Sequence, residues 1–287
     1  MLFKKTNLMI AKIFAIFLSS ICAVSAADRG LYKAEPGQIN FMYPATPIME
    51  ELIAFHDLLM IIITVITIFV SAIMVYIFIR FNAKANPVPT KTTHNTMLEI
   101  IWTTVPILIL IVIAIPSFKL LYKQDVIPEA DVTIKAIGNQ WYWSYEYPEY
   151  EEIAFDALIL SDEEAAAAGH PRLLGTDERV VVPVNKVVRV QVTATDVIHA
   201  WTIPAFGAKI DAVPGKLNET WFKATIEGLY YGQCSELCGI KHGFMPIMVE
   251  VVSQEKYEAW LEEAKVKYAS NDAPRLQQFA DAQSKTE

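Results

Sequence analysis

The sequence predicts a membrane-anchored protein whose second half is a β-sandwich or β-barrel. Two long, uncharged apolar stretches precede residue 122, and a series of short strand-like segments follows residue 125. Cysteine, histidine and methionine side chains then gather near residue 240. Of the 287 residues, 53% are apolar and 20% are charged, which is too apolar for a disordered chain and too charged for a wholly embedded one.

The N-terminus has the pattern of a secretory signal peptide. Lysines precede an apolar run at 13–24, and small residues lead to a cleavage site after Ala26. We therefore expect residues 1–26 to be a signal peptide and residues 27–57 to be an N-terminal periplasmic segment. An uncleaved anchor helix is the alternative, and it places the following chain on the same side.

Two apolar stretches predict a transmembrane helical hairpin over residues 58–122. Residues 58–79 and 100–118 carry no charge, and as helices they span about 33 Å and about 28 Å, against about 30 Å for a bilayer core. We place the helices at 58–79 and 98–121. The alternative is a pair of buried helices in a soluble core, which two such runs so close together disfavour.

The loop between the stretches sets the expected orientation. It contains Arg80, Lys84 and Lys91 and no acid, which favours the cytoplasmic side. An exported N-terminus followed by two spans also returns the chain to the outside. Everything after about Tyr122 is therefore expected in the periplasm or an equivalent compartment.

Alternating apolar and polar residues predict strands in a domain that we place at 125–253. The alternation is clearest at 132–137 and 188–195. Further short candidates are 180–184, 219–224 and 247–252. Several short strands in so few residues are typical of a sandwich or barrel.

Two short helices complete the prediction. Ser161 to Glu164 forms a capping box before an alanine-rich turn at 165–168. Ser253 can cap a last helix over 254–269. We expect residues 254–287 to be this helix and a polar tail.

The charge of the exported part favours a basic partner. From Asp125 to the end there are 26 acids and 14 bases, a net charge of −12, although the whole chain carries −8. This balance disfavours nucleic acid as a partner. Three cysteines are too few for a disulfide-stapled scaffold.

One segment has the composition of a metal site. Cys234, Cys238, His242 and Met245 fall within twelve residues, and His199 follows a predicted strand 35 residues before the first cysteine. Sulfur and imidazole donors at this density select copper, zinc or an iron–sulfur centre.

The residues alone leave several kinds of site open. A disulfide between the cysteines would leave the histidines and Met245 without a purpose. Zinc accepts two cysteines and two histidines, but methionine is a poor zinc ligand. A mononuclear blue-copper site uses one cysteine, two histidines and a weak methionine. Two bridging thiolates can instead hold two copper ions, each with one histidine, and with Met245 and the carbonyl of Glu236 as weak ligands.

These residues lie in motifs that resemble subunit II of bacterial haem–copper cytochrome c oxidase, and the resemblance covers about residues 38–260. The motifs are 98–106 (LEIIWTTVP), 138–148 (GNQWYWSYEYP), 196–201 (DVIHAW), 209–215 (KIDAVPG) and 231–246 (YGQCSELCGIKHGFMP). The resemblance implies a cupredoxin-like Greek-key domain on a two-helix hairpin, carrying the dinuclear copper centre Cu-A. It implies copper ligation by His199, Cys234, Glu236 (carbonyl), Cys238, His242 and Met245.

All six ligand positions match, unlike in the related quinol oxidase subunits that have lost this copper. The sequence has no Cys-x-x-Cys-His motif, so no fused cytochrome c domain is expected. The resemblance also implies that haem is held only by the partner subunit.

Further roles are implied by the same resemblance. Trp141 would be the aromatic residue through which electrons arrive, and Glu99 would be the mouth of the K proton pathway. The Glu236 carboxylate would bind a magnesium ion shared with subunit I. By composition alone, the aromatic segment at 140–147 favours core or interface packing.

Three acids are candidates for docking cytochrome c: Glu146, Asp156 and Asp196. Basic cytochrome c would meet an acidic domain here, so these acids should affect association rate and salt dependence. The expected function is electron transfer from cytochrome c through Cu-A to haem a, for oxygen reduction coupled to proton pumping. The expected location is the bacterial inner membrane, with subunit I, subunit III and lipid as further partners.

The rival hypothesis is a membrane-tethered copper chaperone or storage protein. Such a protein needs an exposed, exchangeable site. A nitrous oxide reductase domain is a further alternative, which the two-span hairpin disfavours.

Overall fold

The computed structural model describes residues 31–32 and 37–268. The predicted signal peptide and the predicted polar tail lie outside the described residues. Four α-helices are described: α1 (Pro47–Arg80), α2 (Thr96–Asp125), α3 (Asp162–Ala167) and α4 (Gln254–Tyr268). The strands are β1 (Leu31–Tyr32), β2 (Val132–Asn139), β3 (Tyr142–Tyr147), β4 (Tyr150–Ala157), β5 (Val180–Pro183), β6 (Val188–Ala194), β7 (His199–Ile203), β8 (Ala208–Ala212), β9 (Asn218–Phe222), β10 (Gly228–Gln233) and β11 (Pro246–Val252).

Both long helices begin at side-chain caps. The Thr46 hydroxyl accepts a hydrogen bond from the amide of Met49, and Pro47 occupies the first turn, where its missing N–H costs nothing. The Asn95 side chain accepts from the amide of Leu98 in the same way. Helix α1 therefore begins at Pro47, well before the uncharged run that starts at Leu58. The charged residues between these positions limit the membrane-spanning part of the helix, but they do not prevent helix formation.

The hairpin leaves its apolar side chains exposed. Helices α1 and α2 are each long and apolar enough to cross a membrane, and their most apolar windows have no buried residues in this chain. Pro106 and Pro116 lie within α2. Apolar surface of this extent needs lipid or other subunits to cover it.

The β-domain contains a five-stranded mixed sheet in the order β4–β3–β2–β6–β9. Strands β2 and β6 pair in parallel, and the other neighbours are antiparallel. In a second sheet, β10 pairs antiparallel with β11, and β11 pairs in parallel with β5. Strands β7 and β8 form an antiparallel ribbon between His199 and Ala212. The predicted hairpin-plus-β fold class is confirmed.

Alternation along the strands produces the core of this domain. In β6, Val188, Val190 and Val192 are buried while their neighbours are partly exposed. The aromatic segment follows the prediction of core packing, since Trp143 and Tyr145 are completely buried. Helix α4 closes one end of the core, where Trp260 lies 5.2 Å from Tyr147 between ring centroids.

The start of α1 is held against the β-domain by backbone hydrogen bonds. The amide of Ala45 donates to the carbonyl of Ala205, and the carbonyl of Ala45 accepts from Thr225. The hydroxyl of Thr46 donates to the carbonyl of Phe206 at 2.7 Å.

An ion pair joins the two long helices: the ammonium group of Lys123 in α2 lies 2.7 Å from the carboxylate of Glu51 in α1.

Candidate metal centre

The candidate metal-binding residues meet at one end of the β-domain. Cys234 and Cys238 lie on the loop that follows β10, and His242 begins a short 3₁₀ turn on the same loop. Met245 precedes β11, and His199 is the first residue of β7. The pairing of β10 with β11 closes this loop, because Gln233 lies opposite Pro246.

The donor atoms form one compact cluster. The two thiol sulfurs are 3.8 Å apart, which is far longer than a disulfide bond, and both cysteines are free. The Nδ1 atom of His199 lies 3.8 Å from Cys234 Sγ. On the other side, His242 Nδ1 and Met245 Sδ each lie 3.5 Å from Cys238 Sγ.

A backbone oxygen completes the cluster. The carbonyl of Glu236 lies 3.3 Å from Cys234 Sγ, so it turns inward between the cysteines. Each thiol therefore has one imidazole nitrogen and one weaker donor beside it. Such a soft S/N set, with two central sulfurs, fits two bridged copper ions better than one zinc ion.

Burial favours a closed site. His199 is fully buried, and Cys234, Cys238 and Met245 are buried as well. Of the described residues, His199, Cys234 and Cys238 place their donor atoms within 4.8 Å of one another. A buried site of this kind exchanges metal slowly, which counts against the rival hypothesis of a chaperone.

The two thiols differ in acidity. Burial disfavours the Cys234 thiolate, but hydrogen bonds with His199 and with backbone groups outweigh this cost and lower the pKa of Cys234. Burial and the neighbouring Cys234 charge raise the pKa of Cys238. The pair therefore gives up one proton readily and keeps the second, which a bound metal must displace.

Asp196 orients His199. Its Oδ1 lies 2.8 Å from His199 Nε2, and its carboxylate also accepts from the amides of Gln140 and Val197. Burial opposes the charge of Asp196, but these bonds lower its pKa overall. With Nε2 held in this way, Nδ1 of His199 faces the thiols. The Asp-x-x-His spacing could have signalled this role, but sequence analysis assigned Asp196 only to docking.

Gly138 makes room for the same histidine. A Cβ atom at this position would lie 2.8 Å from the His199 ring, closer than side chains approach in proteins. Trp143 then packs edge-on against that ring, with centroids 6.0 Å apart. The need for this glycine becomes visible only once β2 and β7 are brought together.

Trp141 touches the metal-binding loop directly. Its indole N–H donates to the carbonyl of Cys238 at 3.2 Å, and the side-chain amide of Gln140 (Nε2) donates to the same oxygen at 2.7 Å. Gly239 has a φ of 122°, and a Cβ there would lie 3.0 Å from the Trp141 ring. This glycine allows the contact. Gln140 and Gly239 lie in the motifs quoted above, but the sequence assigned no role to either.

The other two candidate docking acids lie on β3 and β4. Glu146 forms an ion pair with Lys135 at 2.9 Å. Asp156 is exposed and accepts a hydrogen bond from the Ser144 hydroxyl at 2.6 Å. Neither contacts a metal-binding side chain through these bonds.

Two further carboxylates with predicted roles, those of Glu99 and Glu236, belong to exposed residues. Glu99 is in the first turn of α2, about 40 Å along that helix from its β-domain end. The Glu236 carboxylate is on an exposed residue, although its carbonyl faces the thiols. His170 lies 3.0 Å from the Tyr231 hydroxyl through Nδ1 and takes no part in the donor cluster.

The fold and the donor set together define a class of protein. It is a membrane-anchored, cupredoxin-like domain with a closed cysteine–histidine–methionine site. The model of the family "Cytochrome C oxidase subunit II, periplasmic domain" matches residues 132–252, and the model of the transmembrane domain of the same subunit matches residues 34–120.

Similar proteins agree with these matches. "Probable cytochrome c oxidase subunit 2" of Rickettsia bellii is 51% identical over 256 residues, covering 89% of this chain and 92% of the relative. "Cytochrome c oxidase subunit 2" of Cereibacter sphaeroides is 48% identical over 250 residues, covering 81% of this chain and 82% of the relative. The chain belongs to the cytochrome c oxidase subunit II family, and its enzymatic context is an oxidase complex.

A solved structure is also similar. The crystal structure of the periplasmic domain of subunit II of cytochrome oxidase from Bradyrhizobium japonicum is 58% identical. It covers 50% of this chain and 100% of that chain, with a TM-score of 0.47.

Proposed function

We propose that this chain is the electron-accepting subunit of its oxidase. It receives electrons from cytochrome c at a dinuclear copper centre, Cu-A, and passes them to haem a of subunit I, where oxygen is reduced to water with proton pumping. When bound, the copper pair supplies one-electron redox chemistry with little change of structure. The observation that carries this proposal is the pair of buried thiols 3.8 Å apart, flanked by two imidazoles.

The protein's own residues hold the site in advance. Cys234 and Cys238 would supply the sulfur ligands, and His199 and His242, whose Nδ1 atoms lie beside Cys234 and Cys238 respectively, would supply the imidazole ligands. Met245 and the Glu236 carbonyl supply the weak ligands. Because Asp196 fixes the His199 ring and the loop is closed by β10 and β11, little reorganisation is needed on electron transfer.

Trp141 is proposed as the side chain through which electrons reach the site. It is partly exposed, so a docked protein can contact it, and its N–H bonds to the Cys238 carbonyl at 3.2 Å. One hydrogen bond therefore links a surface aromatic ring to the backbone of a copper ligand. Trp141→Phe should leave copper binding intact and slow electron uptake strongly.

Docking is proposed to depend on the acidic surface. Asp156 is exposed and accepts a hydrogen bond from Ser144, and Glu146 forms an ion pair with Lys135 that reduces its field. Asp196 serves His199 first, so its substitution should change the copper site as well as association. Each single exposed acid should alter mainly the association rate and its salt dependence.

Two further sites depend on subunit I. Glu99 is exposed at the end of α2 away from the β-domain, where a carboxylate can collect protons for the K pathway. The exposed Glu236 carboxylate is proposed to bind magnesium, a hard cation that prefers oxygen ligands. Its carbonyl stays turned toward the thiols, so one residue can serve both ions.

The proposed location is the bacterial inner membrane. Residues 1–26 would be removed as a signal peptide, residues 58–122 would form the membrane hairpin, and residues 125–253 would form the Cu-A domain in the periplasm. Basic residues in the loop after α1 support a cytoplasmic hairpin turn. Subunit I, subunit III and cytochrome c are the proposed partners.

Copper counting with electron paramagnetic resonance tests the proposal. The full chain in detergent should bind two copper ions and show hyperfine splitting from one unpaired electron shared by two copper nuclei. Cys238→Ser should lose this spectrum, while Ser235→Ala in the same loop should keep it. One copper per chain with a mononuclear spectrum in the wild type would overturn the proposal.

A further inference from the structure

Lys241 places a positive charge in the middle of the metal-binding loop. It is exposed, it lies between Cys238 and His242, and its ammonium is 5.9 Å from the centroid of the Trp141 ring. A cation at this distance is attracted to the face of an indole ring. Lys241 therefore shares the surface at which the proposed function places electron uptake.

Seven described cations of this acidic domain form ion pairs with carboxylates. They are Lys135, Arg172, Arg179, Lys186, Arg189, Lys265 and Lys267. Among the described residues, Lys241 forms none, and neither do Lys209, Lys216, Lys223 and Lys256. The preceding residue, Ile240, is 88% exposed. The ammonium group of Lys241 therefore lies beside an exposed apolar side chain.

We propose, on the basis of the proposed function, that Lys241 determines which donor fits this surface. The acids of the domain attract a basic redox protein from a distance, while Lys241 repels any lysine that the donor would bring onto Trp141. The matching donor is a basic c-type cytochrome whose contact centre is apolar or acidic. The surface thus selects by the pattern of charge and not by net charge alone.

The expected effect is moderate and depends on salt. Two exposed like charges in contact change an association constant by about two- to fivefold at low ionic strength. At about 1 M salt the screening length falls to about 3 Å, and the effect should vanish. A purely structural role, in which the lysine stem supports Trp141, would persist at high salt.

The experiment measures electron uptake by the assembled oxidase from a reduced basic c-type cytochrome. Second-order rate constants are recorded by stopped-flow at about 0.01 M and about 1 M ionic strength. Lys241→Gln should raise the rate constant about two- to fivefold at low salt and leave it unchanged at high salt. Lys241→Glu should raise it further, and Lys241→Arg should behave as wild type.

Lys256→Gln is the matched control. It changes the net charge by the same amount, but Lys256 is on α4, which packs against the Tyr147 end of β3, away from Trp141. An equal acceleration in this control would overturn the proposal, since net charge would then explain it. An unchanged or slower rate in Lys241→Gln, with normal copper content, would also overturn it.

The measurements distinguish failure of the proposed function from failure of the role of Lys241. If the wild-type oxidase holds two coppers and takes no electrons from a c-type cytochrome, the proposed function fails and this inference fails with it. If the wild type takes electrons and Lys241→Gln changes nothing, only the role of Lys241 fails.

Discussion

The helical hairpin and the β-domain differ in the exposure of their apolar side chains. Residues such as Phe69 and Leu110 of the hairpin are each 63% exposed in this chain, whereas Phe222 and Trp201 of the β-domain are completely buried. The hairpin forms most of its backbone hydrogen bonds within each helix and leaves its side chains to lipid or to other subunits. The β-domain instead buries its own core between sheets.

The residues of the candidate copper site all lie in the β-domain, which buries its own core. Every donor of the candidate copper site lies between His199 and Met245. The contacts that orient the donors come from Asp196, from Gly138 in β2, and from Gln140 and Trp141 on the β2–β3 turn. None of these residues belongs to the hairpin. The hairpin therefore anchors a site that it does not build.

The largest expected effect comes from separating the two halves. A chain of residues 127–287 should be soluble without detergent and should bind copper as the full chain does, since it contains the metal-binding residues and all of the described core cluster except Ala45. The full chain should precipitate when detergent is removed. Sedimentation and copper counting check both statements; a truncated domain that aggregates or loses copper would show that the contacts of Ala45 and Thr46 are required for folding.

A matched pair of substitutions tests the difference in packing. Phe222→Ala removes a fully buried ring that lies 4.5 Å from Phe206 and 6.3 Å from Trp201, between centroids. It should lower the free energy of unfolding of the β-domain by about 3–5 kcal/mol. Phe69→Ala removes the same atoms from the exposed face of α1 and should change it by less than about 0.5 kcal/mol. Urea denaturation followed by tryptophan fluorescence compares the two, and equal losses would contradict the comparison.

The same contrast explains what the sequence could predict. The apolar runs predicted two membrane helices, and strict alternation predicted β2 and β6, because each pattern is local. Strands β4, β7, β8 and β10 were not predicted. Strand β4 contains two adjacent acids, Glu151 and Glu152, and β10 contains two glycines, so tertiary pairing overrides their weak local preference.

At the site, the sequence predicted the metal-binding residues but not the contacts that position their side chains. Cys234, Cys238, His242 and Met245 are close in sequence, and His199 shared a motif with Asp196. The structure adds that Asp196 fixes the His199 ring, that Gly138 leaves space for it, and that Gly239 lets Trp141 reach the loop. These roles depend on contacts across the fold, which no local pattern contains.

A charge placed on the hairpin tests whether its exposed apolar side chains face lipid. Leu110→Arg puts a guanidinium near the middle of α2, where it should raise the apparent free energy of membrane insertion by about 2.5–3.5 kcal/mol. Tyr122→Arg, close to the end of the same helix, should cost much less because the side chain can reach the interface. Glycosylation-based insertion assays measure both, and equal costs would mean that α2 does not span the membrane centre.

The smallest expected effect concerns an ion pair on the β-domain surface. The Arg189 guanidinium contacts Glu219 at 2.5 Å and, against a smaller effect of burial, holds the pKa of that carboxyl below its ordinary value. Because the folded state favours the charged form, the pair stabilises the fold above the pKa of the unfolded chain, about 4.3. This stabilisation is lost as the pH falls through the lower pKa of the folded state.

Glu219→Gln should therefore cost up to about 1 kcal/mol at pH 7, since both side chains are partly exposed and the pair is screened by solvent. The loss should shrink toward zero at acidic pH, where wild type and variant carry the same charge at this position. Urea denaturation of both proteins between about pH 7 and about pH 3 measures the difference. A difference that stays constant over this range would show that Glu219 stabilises β9 by packing and hydrogen bonding with Gln191, and not through its charge.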